Sequence, residues 1–136
     1  NEIKGIKAAC HGRILKVIVE ACQLTQDEKL ALCRIVSMSG ADFIKTSTGK
    51  IDVAATPEAA FIMCNAIKDY YNETGRKVGF KAAGGVKTPE DAALYYTIVE
   101  EVLGKEWLTT DLFRIGASSA ANNLISAILD KQTKYF

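Results

Sequence analysis

Strand-like and helix-like segments alternate along the whole chain, and this alternation limits its fold more than any other feature. Four short runs rich in β-branched or aromatic residues lie at 15–20, within 40–50, at 78–83 and at 113–116. Helical patterns separate them, and each unit is about 30 to 35 residues long, the length of a βαβ module. Parallel strands joined by helical crossovers are the expected outcome.

Local signals mark where the helices start. Thr25 followed by Glu28 has the capping-box pattern. Thr56 and Thr88 each precede a proline, which suits the first position of a helix. The helix after Thr56 is expected to end near Tyr71.

The polar residues of the strands favour one α/β architecture over another. Each strand carries charged residues or glycine on the face opposite its most apolar side chains. A doubly wound sheet has apolar helices on both faces and tolerates this pattern poorly. A (β/α)8 (TIM) barrel, whose interior opens onto an active site, tolerates it well. The residues concerned are Lys16, Glu20, Lys45, Lys81, Arg114 and Gly116.

Composition excludes several classes of function. The chain has 136 residues, enough for one domain, and its formal net charge is +1. That charge gives no electrostatic case for nucleic acid or membrane binding. No bilayer-length apolar run and no signal peptide is visible. The four cysteines show no CxxC spacing and there is one histidine, so we expect free thiols, a cytoplasmic location and no metal.

Two lysines lie at matching positions near the ends of consecutive strands. Lys45 is in the strand of 40–50 and Lys81 in the next. Neighbouring strands are about 4.8 Å apart, so the two ammonium groups repel and one of them should have a lowered pKa. A lysine of that kind can form a Schiff base with a carbonyl. The alternative is two unrelated lysines in salt bridges.

Glycines and serines after the last two strands suggest an anion site. Gly84 and Gly85 follow the third strand, and Gly116 precedes two serines before the last helix, whose cap is expected at Ser118 or Ser119. Freed backbone N–H groups, a helix N-terminus and hydroxyls together bind phosphate. In barrels this site often lies at the loops after the last two strands. The alternative is that these glycines only permit tight turns.

Four segments, at 15–18, 40–49, 79–86 and 114–119, resemble the deoxyribose-phosphate aldolase family, in the same order and over nearly the whole chain. The resemblance implies a class I aldolase on a (β/α)8 barrel, without metal or cofactor. Such an enzyme reversibly cleaves 2-deoxy-D-ribose 5-phosphate to D-glyceraldehyde 3-phosphate and acetaldehyde. It implies that Lys45 is the Schiff-base lysine and Lys81 the second lysine that tunes it. The positions matching the family's phosphate and substrate loops are Thr48, Gly49, Lys50, Gly84, Gly85, Val86, Lys87, Gly116, Ser118 and Ser119.

The chain departs from the family pattern in three places. Ala82 stands where proline is common, and Lys87 where arginine is common, which removes a bidentate contact to phosphate. The proton-relay aspartate of the family lies on an earlier strand that the sequence does not contain. Residues 1–136 are therefore expected to be a single domain, the last four β/α units of the barrel.

The missing strands affect what partners we expect. Four barrel strands leave two open edges, so the chain should pair with the N-terminal half of the barrel, in the same or a separate chain, and form a homo-oligomer. An alternative function is a non-catalytic half-barrel that binds phosphate or serves in assembly. A different phosphate-binding barrel enzyme is a third possibility, which the two lysine motifs disfavour.

Overall fold

The structure is a computed structural model, and it describes residues 2–117, 119–132 and 134. Helices and strands alternate along this part of the chain, as predicted. In chain order the elements are α1 Glu2–Ala9, β1 Lys16–Ile18, α2 Gln26–Met38, β2 Phe43–Lys45, α3 Pro57–Thr74, β3 Gly79–Ala83, α4 Pro89–Leu103, β4 Phe113–Gly116 and α5 Ala120–Leu129, with 3-10 turns at Ala21–Gln23 and Lys105–Trp107.

The strands form one parallel sheet in the order β1-β2-β3-β4. Each strand therefore pairs with the next one along the chain, and the order never reverses. A doubly wound sheet has a reversal point in its strand order, whereas successive pairing is the arrangement of a barrel wall. The sheet has the strand order of an arc of a (β/α)8 barrel, as the sequence predicts.

The helices pack on one face of this sheet, and the main core lies between them and the strands. Ile44 and Phe80 are fully buried there, and α3 packs against both α2 and α4. Trp107 closes one end of the core, where its indole Nε1 donates a hydrogen bond of 2.9 Å to the carbonyl of Val78. Among the described residues, no helix packs on the opposite face of the sheet, which carries the charged residues of the strands.

The helix starts are where the sequence places them. Thr25 and Glu28 form both hydrogen bonds of a capping box, and Thr56 and Thr88 cap α3 and α4. The predicted end of α3 near Tyr71 is wrong. The helix runs to Thr74 and ends at Gly75, whose φ of 70° suits glycine.

Two other local predictions need correction or lie outside the described residues. β1 is shorter than the predicted 15–20, because Glu20 adopts a left-handed φ of 48° and the chain turns into the Ala21–Gln23 3-10 turn. Ser119 occupies the N-cap of α5, but its side chain makes no capping hydrogen bond. Ser118, the other predicted cap, lies outside the described residues.

The cysteines are free thiols, as predicted. Cys33 and Cys64 are buried in the core, and burial raises the pKa of the Cys33 thiol to about 12. Cys10 and Cys22 are partly exposed.

Candidate active site

Four cations share the helix-free face of the sheet. Lys45 on β2 pairs in register with Lys81 on β3, which pairs in register with Arg114 on β4. Lys16 is on β1, two residues before Ile18, which is the residue that pairs in register with Lys45. The prediction that Lys45 and Lys81 occupy matching positions on adjacent strands is confirmed.

These cations have no acidic partner in the part of the chain that the structure describes. Its ion pairs lie elsewhere: Lys7 and Arg76 with Asp42, Arg34 with Glu73 and Lys105 with Glu100. The idea that Lys45 and Lys81 are two unrelated salt-bridged lysines therefore has no support here. The face carries an uncompensated positive charge that suits an anionic ligand.

The electrostatic consequence is seen at Lys81. Its pKa is lowered, first by burial and then by the positive charges of Lys45, Lys16 and Arg114. Both effects disfavour the ammonium form. The pair thus contains an amine that loses its proton more readily than an isolated lysine, as the sequence predicts for one member of the pair.

Thr46 fixes the chain that leaves β2. Its hydroxyl accepts a hydrogen bond of 3.0 Å from the backbone N–H of Ala83 and donates one of 3.1 Å to the carbonyl of Ala83. Thr46 is fully buried. This side chain joins the ends of β2 and β3 just beyond the two lysines, and so holds the two following loops side by side.

Glu20 holds the loop after β2 from the other side. Its carboxylate accepts the hydroxyl hydrogen of Thr48 at 2.6 Å and the Thr48 backbone N–H at 3.2 and 3.3 Å. Glu20 also has a left-handed backbone conformation. This conformation is unfavourable for a residue other than glycine and is found most often at functional sites. Sequence reasoning grouped Glu20 with the charged strand residues but missed this role, because the contact spans 28 positions of the chain.

Replacing Glu20 with alanine should loosen this loop. We expect faster hydrogen exchange at the Thr48 amide and a free energy of unfolding lower by about 1 kcal/mol, because charged hydrogen bonds to Thr48 are lost. Glu20→Gln keeps an acceptor of the same length and should stay close to the wild type. Native-state hydrogen exchange measures both; equal Thr48 exchange in Glu20→Ala and wild type would contradict the assignment.

The predicted glycines meet at the carboxyl ends of the strands. Gly49, Gly84 and Gly85 have φ values of 77°, 82° and 79°, which favour glycine. At Gly84 a Cβ would clash with the Cβ of Ala54 and lie 3.2 Å from the Cα of Gly49. The loops after β2 and β3 are therefore in direct backbone contact.

The end of β4 joins the same rim. The backbone N–H of Gly84 donates a hydrogen bond of 3.4 Å to the carbonyl of Gly116. A Cβ on Gly116 would lie 2.9 Å from both the Cβ of Ala83 and the Cε of Lys81. Gly116 thus provides the space into which the Lys81 side chain extends. We call the three loops that contain Gly49, Gly84 and Gly116 the glycine rim.

The remaining predicted residues are spread around this rim. Thr48, Lys50, Gly85, Lys87 and Ser119 are exposed, whereas Val86 is buried in the core. Ser119 borders a cavity of about 410 Å³ that is also lined by Asn122, Asn123, Gln132 and Lys134. Ser118 lies outside the described residues. Within the described residues, no group of three or more His, Cys, Asp or Glu side chains is arranged to hold a metal ion.

Comparisons with known proteins identify relatives of the chain. The family model described as DeoC/LacD family aldolase matches residues 1–120. Deoxyribose-phosphate aldolase of Mus musculus is 46% identical over 127 residues, which cover 91% of this chain and 39% of the mouse protein.

Solved structures show the same similarity. The deoxyribose phosphate aldolase of Aeropyrum pernix, described as having a unique tetrameric structure, superimposes with a TM-score of 0.70 at 29% identity. The match covers 93% of this chain and 47% of the Aeropyrum chain. The chain thus spans less than half the length of either relative.

Proposed function

The chain belongs to the DeoC/LacD family of aldolases, and from this we propose that it supplies the lysine-bearing part of a deoxyribose-phosphate aldolase. The reaction is the reversible cleavage of 2-deoxy-D-ribose 5-phosphate to D-glyceraldehyde 3-phosphate and acetaldehyde. The observation that carries the proposal is the registered pair Lys45 and Lys81, on a positively charged face without an acidic partner among the described residues.

Lys45 is proposed as the nucleophile. Its neutral amine adds to the C1 aldehyde of the open-chain sugar, and loss of water gives an iminium ion. The iminium accepts the electron pair of the C2–C3 bond as that bond breaks, while the C3 hydroxyl loses its proton and leaves as the aldehyde of glyceraldehyde 3-phosphate. The remaining enamine takes up a proton at C2, and water then releases acetaldehyde and the free lysine.

Lys81 is proposed to support these proton transfers and to tune Lys45. The pKa of Lys81 is lowered, so its ammonium donates a proton more readily than that of an ordinary lysine, and its neutral amine is more often available to take a proton up. The resemblance to the aldolase family implies its second role, the tuning of Lys45.

The glycine rim and its neighbours are proposed to bind the substrate phosphate. The residues are Thr48, Gly49, Lys50, Gly84, Gly85, Val86, Lys87, Gly116, Ser118 and Ser119. Glycine lets the backbones of these three loops approach each other closely at one end of the sheet, and the N-terminus of α5 adds a dipole that favours an anion. No metal or cofactor is part of this mechanism.

A charge at position 119 should discriminate between substrates. Ser119→Asp places a carboxylate at the rim, and because Ser119 is exposed and makes no capping hydrogen bond that the change could break, the fold should persist. We expect the KM for 2-deoxyribose 5-phosphate to rise about tenfold or more, with little change for unphosphorylated 2-deoxyribose, because only the phosphate meets the new charge. Ser119→Asn, an uncharged cap of the same shape, is the matched control. Equal losses on both substrates would contradict a phosphate role.

The rest of the barrel is proposed to come from additional strands outside residues 1–136. β1 and β4 are the edges of the described sheet, and an N-terminal half of the barrel, in the same or a separate chain, would pair with both. Residues 1–136 then form the C-terminal part of a single barrel domain. The Aeropyrum relative is described as tetrameric, and we propose a homo-oligomer here too.

We also propose a cytoplasmic location. The cysteines are free, which suits a reducing compartment. In the described part of the chain, no helix has the length and apolar character to cross a membrane.

The direct test is an assay of the complete protein for acetaldehyde release from 2-deoxyribose 5-phosphate. We expect turnover that depends on the phosphate group. Phosphate binding without any release of acetaldehyde would instead favour the non-catalytic half-barrel.

A further inference from the structure

One aromatic side chain lies on the cation-bearing face of the sheet. Phe43 pairs in register with Lys16 on one side and Gly79 on the other. It is 1% exposed, yet it is not part of the core cluster between the sheet and the helices. A large apolar residue is thus buried beneath the charged residues of the candidate active site.

Gly79 provides the space for this ring. A Cβ at position 79 would lie 2.6 to 2.7 Å from three ring atoms of Phe43, Cε1, Cδ1 and Cζ. The ring therefore lies across the β3 backbone at Gly79. The φ of Gly79 is not in the left-handed region. Glycine is therefore needed at this position because the ring approaches the backbone closely, and not because of the backbone conformation.

Two cations contact the ring from the flanking strands. The Nζ of Lys16 on β1 is 5.2 Å from the ring centroid, and the Cζ of Arg114 on β4 is 5.5 Å from it. Both distances are within the range of cation–π attraction. The Nε of Arg114 also donates a hydrogen bond of 2.9 Å to the carbonyl of Thr110, which fixes the direction of the guanidinium.

We propose that Phe43 is a positioning residue of the aldolase site, whose ring holds Lys16 and Arg114 beside Lys81 without neutralising their charge. The proposal deepens the proposed function and rests on it. A carboxylate could hold the same two cations, but it would cancel their positive potential. An aromatic face attracts a cation through its quadrupole and carries no net charge.

The consequence is electrostatic. The charged groups that face Lys81 are Lys45 on β2, Lys16 on β1 and Arg114 on β4, and each lowers its pKa in addition to burial. Long basic side chains without a partner extend into solvent, where water screens their charge. Without the ring, Lys16 should move into solvent and Arg114 should keep only its hydrogen bond to Thr110, so the pKa of Lys81 should rise toward its ordinary value.

Fluorinated phenylalanines test this without removing the ring. Fluorine withdraws the negative charge from the ring face while the shape changes little, so cation–π attraction falls stepwise from phenylalanine to 4-fluoro- and 3,4,5-trifluorophenylalanine at position 43. In the complete protein, NMR titration of the Lys81 side chain should show a stepwise rise in its pKa. The same series at Phe80, which is buried on the helix side of the sheet, should leave the Lys81 titration unchanged.

A second variant tests the effect on the pH dependence of catalysis. In Phe43→Leu both the ring and its quadrupole are lost, so the Lys81 titration should move further in the same direction and the acid limb of the pH–rate profile should move with it. Phe43→Tyr keeps the aromatic face and should restore most of the effect. A Lys81 titration that is the same in wild type, the fluorinated series and Phe43→Leu would overturn the proposal.

The two proposals fail in different ways. The titrations need no substrate, so they measure the role of Phe43 in holding charge even in a protein without activity. If the pKa of Lys81 rises with fluorination but the protein shows no aldol cleavage, the catalytic part of the proposal and the aldolase function would both be overturned. Normal aldol cleavage with an unchanged titration would overturn the role of Phe43 alone.

Discussion

Replacing Lys45 with methionine should abolish aldol cleavage by the complete protein, with a fall in kcat on the order of 10⁶. That is about the loss that follows when an enzyme using covalent catalysis loses its nucleophile. Lys45 is partly buried at the carboxyl end of β2, and methionine has a similar length without the amine. We therefore expect the fold and the binding of phosphate to remain while the iminium no longer forms.

A lysine far from the site provides the matched control. The side chain of Lys105 is 85% exposed and pairs with Glu100 at the end of α4, away from the charged face of the sheet. Lys105→Met should therefore keep wild-type turnover. Cleavage by Lys45→Met within tenfold of wild type, measured as acetaldehyde released, would contradict the assignment of the nucleophile.

Expressed alone, residues 1–136 should associate and show little aldolase activity. β1 and β4 are the edges of the described sheet, and each presents an unpaired row of backbone groups that favours pairing with another chain. The resemblance to the aldolase family implies a proton-relay aspartate on an earlier strand. Losing a positioned acid–base group lowers the rate by about 10² to 10⁴, and we expect at least that deficit relative to the complete barrel.

Light scattering after size-exclusion chromatography, with an aldol-cleavage assay on the same fractions, tests both parts of this prediction. Adding the N-terminal half as a separate polypeptide should restore a single species and raise the activity. A monodisperse monomer that turns over substrate as fast as the complete protein would show that the open edges and the missing strands do not matter.

The sequence was informative where structure is set by local chemistry. The capping box at Thr25 and the proline after Thr88 are signals within a few residues, and both helices begin where they indicate. Spacing alone placed Lys45 and Lys81 on adjacent strands in matching positions, because each unit repeats the same strand-to-helix geometry. The resemblance to a known family supplied the chemical roles.

The sequence was uninformative where a contact joins distant segments. Nothing near Glu20 indicates that it turns into a left-handed conformation and holds Thr48. Phe43 looks like an ordinary apolar strand residue, and its position over Gly79 depends on the register of two strands. Such features follow from tertiary packing, which a single sequence does not specify.

The account depends most on the covalent role of Lys45, and borohydride trapping tests it most directly. The complete protein is incubated with acetaldehyde, reduced with borohydride and mapped by peptide mass spectrometry. We predict one added two-carbon group, on Lys45, and its absence in Lys45→Met. An adduct on Lys81 or on another lysine instead of Lys45, or no adduct in an active enzyme, would contradict the mechanism.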